Sequence, residues 1–88
     1  MALPASVPIQ DAVIAVLKNV SRRPIEPTLA SDLVADLAFD SLEIMETIAE
    51  LEARFDISIP LDDAADTRTV SQIVARVSAL VGGGPLEP

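Results

Sequence analysis

From Ile9 to Val20, apolar residues fall at Ile9, Val13, Val16, Leu17 and Val20, with Gln10, Lys18 and Asn19 on other faces. That spacing predicts an amphipathic helix. Pro8 suits its first turn, and Pro24 and Pro27 end it. From Ser21 to Phe39 no helical period persists. A connection this long in a small chain is expected to be functional or pinned by its own apolar residues, here Leu29, Leu33, Val34, Leu37 and Phe39. One helical turn is expected within SDLVADLA.

The pattern is clearest over Ser41–Phe55, SLEIMETIAELEARF. Asp40 is a favourable N-cap, and Glu43 three residues later completes a capping box. Ile44, Ile48, Leu51 and Phe55 form one stripe, with Thr47 at its margin, and this is the expected core face. Glu43, Glu46 and Glu50 line another face. Leu42, Met45 and Ala49 lie between the two and are expected to be exposed. A core helix needs one apolar stripe, so a second, smaller one reads as a binding surface. Ile57 and Ile59 alternate as a short extended piece that Pro60 ends, and LDDAAD predicts one or two helical turns. Thr69 with Gln72 caps a last helix, Val70–Val81, whose inner stripe is Val70, Ile73, Val74, Val77 and Val81. GGGP at 82–85 terminates it. The sum is an all-α small four-helix bundle with a short third helix and a long loop between helices 1 and 2. The expected domain covers residues 7–81, between a flexible N-terminus (1–6) and a flexible C-terminal tail (82–88).

Composition narrows the class. The 88 residues are half apolar, enough for one small core. No apolar run reaches the ~18–20 residues of a membrane span. The N-terminal MALPASVPIQ lacks the basic and apolar regions of a secretory signal. With no Cys there is neither a disulfide framework nor a thiolate metal site.

Charge changes the picture further. The net charge is −8, yet residues 32–66 hold 11 acids and a single base, Arg54. Nucleic acid and anionic membrane surfaces are repelled by such a stretch. Basic protein surfaces are attracted and steered in by it. The plain alternative is a solvated face that keeps a small protein soluble.

Without His or Cys, no Ser–His pair and no Cys nucleophile exist. Lys18 stands on a different helix from Ser41. The glycines are confined to the tail, so no phosphate-cradling loop is present. The acids lack calcium-loop spacing, and no metal site is expected. Ser41, at a helix start among Asp36, Asp40, Glu43 and Glu46, therefore reads better as a residue that another enzyme modifies than as a nucleophile. A helix N-terminus also favours an attached phosphate. On the local string alone, Ser41 reads better as the plain first residue after an Asp cap, because Asp-Ser-Leu is short and common.

The wider stretch DLVADLAFDSLEIMETIAELEARFDISIP closely resembles the acyl carrier protein family. There a loop of the form D-L-x-x-D-L-G-x-D-S-L leads into an acidic helix ending E-x-x-F, followed by I-x-I-P. The resemblance covers residues 9–81 and includes the Thr69–Val70 pair. It implies a 4′-phosphopantetheine arm on Ser41, added from coenzyme A by a phosphopantetheinyl transferase. The arm's thiol would carry acyl intermediates as thioesters between enzymes of fatty-acid or specialised lipid biosynthesis. It implies a non-catalytic, cytoplasmic, monomeric carrier, with no nucleic acid partner and no membrane insertion. The implied partner face is Asp40, Leu42, Glu43, Met45, Glu46, Ala49 and Glu52, with Ile59 nearby, docking on enzymes with basic surfaces. Small residues such as Val13, Val16 and Val74 would let the helices part around an acyl chain.

Ala38 departs from the pattern, since the family has Gly there. That position suggests a loop conformation that a side chain makes costly. Leu61, Ala53 and Ala65 are neutral where acids are common. Two alternatives stand beside the acyl carrier: an aminoacyl or polyketide carrier, and an unmodified acidic helical interaction module. Asp-Ser-Leu favours the acyl type over the Gly-Gly-x-Ser of peptide carriers. A hydrolase lacks its nucleophile–base pair.

Overall fold

The computed structural model describes residues 6–60, 62 and 66–82. Among these the chain is all-helical: α1 is Ser6–Val20, α2 is Ser41–Phe55 and α3 is Val70–Gly82. The expected short helix over 61–66 lies largely outside the described residues, as do the two expected flexible ends. α1 starts three residues before Ile9. Pro8 then sits in the first turn, where its missing N–H has no intrahelical acceptor to lose.

α1 packs on both α2 and α3. Val13, Val16, Leu17, Leu51, Val70 and Val77 are fully buried at the centre, and Ile9, Leu33, Leu37, Phe39, Ile59, Ile73 and Val74 close around them. Val81 falls on the inner stripe by angle but is 45% exposed, because the last turn of α3 runs past the buried layer.

The inner face of α2 is rotated from its expected position. Its buried residues are Glu43, Thr47 and Leu51, at i, i+4 and i+8. Ile44, Ile48 and Phe55 flank that line half-buried. Thr47 is accommodated in the core because its Oγ1 donates to the Glu43 carbonyl at 2.8 Å, leaving its methyl group for packing.

The α1–α2 loop is held by its own hydrogen bonds. Asp32 Oδ1 accepts from the N–H groups of Val34 (2.9 Å) and Ala35 (2.8 Å). The Asp36 and Leu37 N–H groups return to the Asp32 carbonyl at 2.9 and 3.0 Å. This is the single helical turn that SDLVADLA predicts. It places Leu33 and Leu37 on the core side and turns Val34 outward, 58% exposed, while Leu29 is 40% exposed. Leu33, Leu37 and Phe39 therefore anchor the loop, and Leu29 and Val34 do not. Farther back the loop is clipped to the start of α3: the Leu33 N–H donates to the Arg68 carbonyl (2.8 Å) and the Val70 N–H to the Ser31 carbonyl (3.0 Å). Thr69 and Gln72 cap α3 as expected, with Thr69 N–H on Gln72 Oε1 at 3.1 Å and Gln72 N–H on Thr69 Oγ1 at 3.3 Å.

Candidate functional site

Ser41 is exposed as the first residue of α2. Asp40 precedes it in an extended conformation and caps the helix reciprocally with Glu43. Asp40 Oδ1 accepts the Glu43 N–H at 2.8 Å, and Glu43 Oε1 accepts the Asp40 N–H at 3.0 Å. Both bonds lie on either side of Ser41, so the backbone that carries its hydroxyl is fixed. The peptide N–H groups of Ser41 and Leu42 have no intrahelical carbonyl to bond, as in any helix start, and the helix dipole makes this end partially positive.

The approach to Ser41 is strained at one residue. Ala38 has φ 58°, in the left-handed region where a Cβ is unfavourable. The conformation survives because both ends of the turn are tied. The Ala38 N–H donates to the Val34 carbonyl at 3.1 Å, and Arg23 Nη2 donates to the carbonyls of Ala38 (3.0 Å) and Leu37 (3.4 Å). Its neighbour Arg22 places Nη1 4.0 Å from Asp40 Oδ2.

Asp32 organises the other end of the same loop. The Ala35 N–H holds its carboxyl below the ordinary aspartate range; burial opposes this, and the Val34 N–H and the Arg68 guanidinium, 3.8 Å away, reinforce it. Neither the two arginines nor Asp32 is among the residues expected to shape the site. The one sequence signal for the arginines is an adjacent basic pair placed just before a chain segment of almost unbroken acidity.

The family model for the phosphopantetheine attachment site matches residues 11–77. The acyl carrier protein of Amoebophilus asiaticus is 43% identical over 65 residues, covering 74% of this chain and 81% of the relative. This chain belongs to the acyl carrier protein family. A 3-methylorcinaldehyde synthase of Talaromyces stipitatus is 49% identical over 53 residues, which are 60% of this chain and 2% of that large protein. A solved chain from Mycobacterium tuberculosis, given as an acyl carrier protein, superposes with a TM-score of 0.77 at 35% identity, covering 81% of this chain and 96% of the other.

The cofactor of this carrier family is 4′-phosphopantetheine, and the start of α2 fits such a group. It offers an exposed serine on a fixed backbone and a partially positive helix end.

Of the residues expected on the carrier's partner face, Asp40, Leu42, Met45, Glu46 and Ala49 are exposed together along α2. Met45 is 66% and Leu42 51% exposed. Two others are placed differently. Glu43 is 2% exposed, because its carboxylate turns back onto the Asp40 N–H instead of facing solvent. Ile59 is 8% exposed and belongs to the core. Glu52 is half-buried; its Oε2 accepts the Ile59 N–H at 2.7 Å and ties the segment after α2 back to the helix. Between α2 and α3, Ile48, Ile59, Thr67, Ile73, Arg76 and Val77 line a narrow, partly open and mainly apolar cleft of about 10 Å³. Among the described residues no helix is long and apolar enough to cross a membrane.

Proposed function

We propose that Ser41 is the residue to which 4′-phosphopantetheine is joined, and that the chain thereby carries acyl intermediates of fatty-acid or specialised lipid biosynthesis between enzymes. The observation that carries this reading is the exposed Ser41 hydroxyl at the first position of α2, framed by the reciprocal Asp40–Glu43 cap within the segment that the family model matches. The bound group supplies the thiol that the chain itself lacks, on which an acyl chain is held as a thioester.

The protein's own part is to present and to shelter. The cap fixes the backbone that carries the Ser41 oxygen. Asp40, Glu46 and the exposed Leu42, Met45 and Ala49 form the face on which a transferase and acyl-handling enzymes dock. Acids steer a basic partner in, and Leu42 and Met45 supply a small apolar anchor. Glu43 belongs to this face through the backbone it holds, not through its own charge. The cleft between α2 and α3 is too small for an acyl chain as it stands, so sheltering cargo requires those helices to part. The same reading makes the chain a monomeric, non-catalytic, cytoplasmic carrier domain over residues 7–81, built as a small four-helix bundle.

A second reading keeps the carrier and changes the cargo to an aminoacyl or polyketide intermediate; the match to 2% of a large 3-methylorcinaldehyde synthase supports cargo other than that of fatty-acid synthesis. Both readings require Ser41. Incubation with coenzyme A and a phosphopantetheinyl transferase, followed by intact mass, tests the shared step. Wild type should gain one phosphopantetheine and Ser41→Ala none, with unchanged helical circular dichroism. A gain on Ser41→Ala would overturn the assignment.

A further inference from the structure

Two adjacent arginines stand at the start of α2, and their contacts divide them. Arg23 is committed to backbone: its Nη2 bonds the Ala38 and Leu37 carbonyls. Its own backbone is held by Ser21, whose Oγ donates to the Arg23 carbonyl (2.6 Å) and accepts the Arg23 N–H (3.1 Å). Arg22 lies between these two fixed residues. Its chain position is therefore set beside the entry to α2, while its side chain is 61% exposed and meets Asp40 Oδ2 at 4.0 Å. An exposed ion pair at that separation contributes little and exchanges readily.

Joining a phosphodiester to Ser41 adds a negative charge beside the Asp40 carboxylate, within the most acidic stretch of the chain. Asp40 Oδ1 is already occupied by the Glu43 N–H, so the carboxylate cannot swing away without undoing the cap. The helix dipole offsets part of the new repulsion. A guanidinium offsets more, because its planar fork matches two phosphate oxygens. We propose that Arg22 is the counter-ion of the phosphodiester on Ser41, leaving its loose pairing with Asp40 to bind the phosphate once the arm is attached. The inference rests on the Ser41 reading above. Its consequence is directional: the root of the arm is drawn toward the α1–α2 loop, and the acidic face of α2 stays open for partners.

The test is a thermodynamic cycle between modification and substitution. Melting temperatures are measured for unmodified and phosphopantetheine-bearing forms of wild type, Arg22→Gln and Arg22→Lys at low ionic strength, with intact mass confirming each form. Arg22 is exposed, so the unmodified variants should fold and melt close to wild type. Attachment should be less favourable to Arg22→Gln than to wild type by about 2–4 °C in melting temperature. Arg22→Lys should recover part of that difference, and added salt should shrink it. Equal shifts on attachment in wild type and Arg22→Gln would overturn the proposal. Failure of wild type to gain mass is a different result, and counts against Ser41 itself.

Discussion

Asp40 and Glu43 hold each other across Ser41, each carboxylate accepting the other's backbone N–H at 2.8 and 3.0 Å. Glu43 spends its charge inside the protein: it is 2% exposed, and its Oε2 is buried with no hydrogen-bond partner among the described residues. An acidic residue in the first turn of α2 is thus a structural part of the mount of Ser41.

Truncating this mount should cost stability. Glu43→Ala removes one half of the cap and is expected to destabilise by about 1–2 kcal/mol. Glu46→Ala, on the exposed face of the same helix, should stay within about 0.5 kcal/mol. Urea denaturation of the pair checks this. Equal effects would mean that the cap is not what holds Glu43 in place.

Ala38 should be improvable. Its φ of 58° suits glycine, so Ala38→Gly relieves steric strain, against some loss of restriction in the unfolded chain. The net expectation is a gain of about 0.5–1 kcal/mol, read from the urea midpoint. A lower midpoint would mean that Arg23 and Val34 hold this turn without strain.

The loop should be acid-sensitive through Asp32. Its pKa is depressed in the fold, chiefly by the Ala35 N–H bond. A depressed pKa contributes stability above the unfolded value of about 3.9, and that stability is lost as pH falls through the folded value. Asp32→Ala should therefore be less stable than wild type at neutral pH and show a shallower loss below pH 4. Parallel acid limbs would contradict this.

Repulsion within the acidic stretch should respond to ions. With 11 acids between residues 32 and 66, moderate salt or magnesium should raise the melting temperature. A flat response would show that these charges are too well solvated to oppose one another.

Docking should separate from folding at Met45. It is 66% exposed, so Met45→Ala should leave stability within about 0.5 kcal/mol. As an apolar anchor it should weaken binding to a transferase by about 1 kcal/mol or more, measured by calorimetry. Unchanged affinity would move the anchor elsewhere on α2.

Much of this was legible in the chain. α2 begins and ends where its cap and apolar period put it, and both capping boxes form as their spacing predicts. Periodicity was less informative where a polar residue has a private partner. It places Glu43 outside because carboxylates prefer water, and only the bond to the Asp40 N–H reverses that. Leu29 and Val34 look like anchors by composition, but the Asp32-centred turn decides which apolar residues face inward. Ile59 is drawn into the core by the Glu52 bond to its N–H. Arg22 and Arg23 carry no periodic signal, since their role depends on contacts 14 or more residues away in sequence.

The most direct test of the central claim is the position of the modification. Tryptic digestion of the loaded protein yields a peptide between Arg22 and Arg54 that contains Ser31 and Ser41. Fragmentation of that peptide should place the phosphopantetheine on Ser41. Its placement on Ser31, or on a serine of any other peptide, would contradict the account.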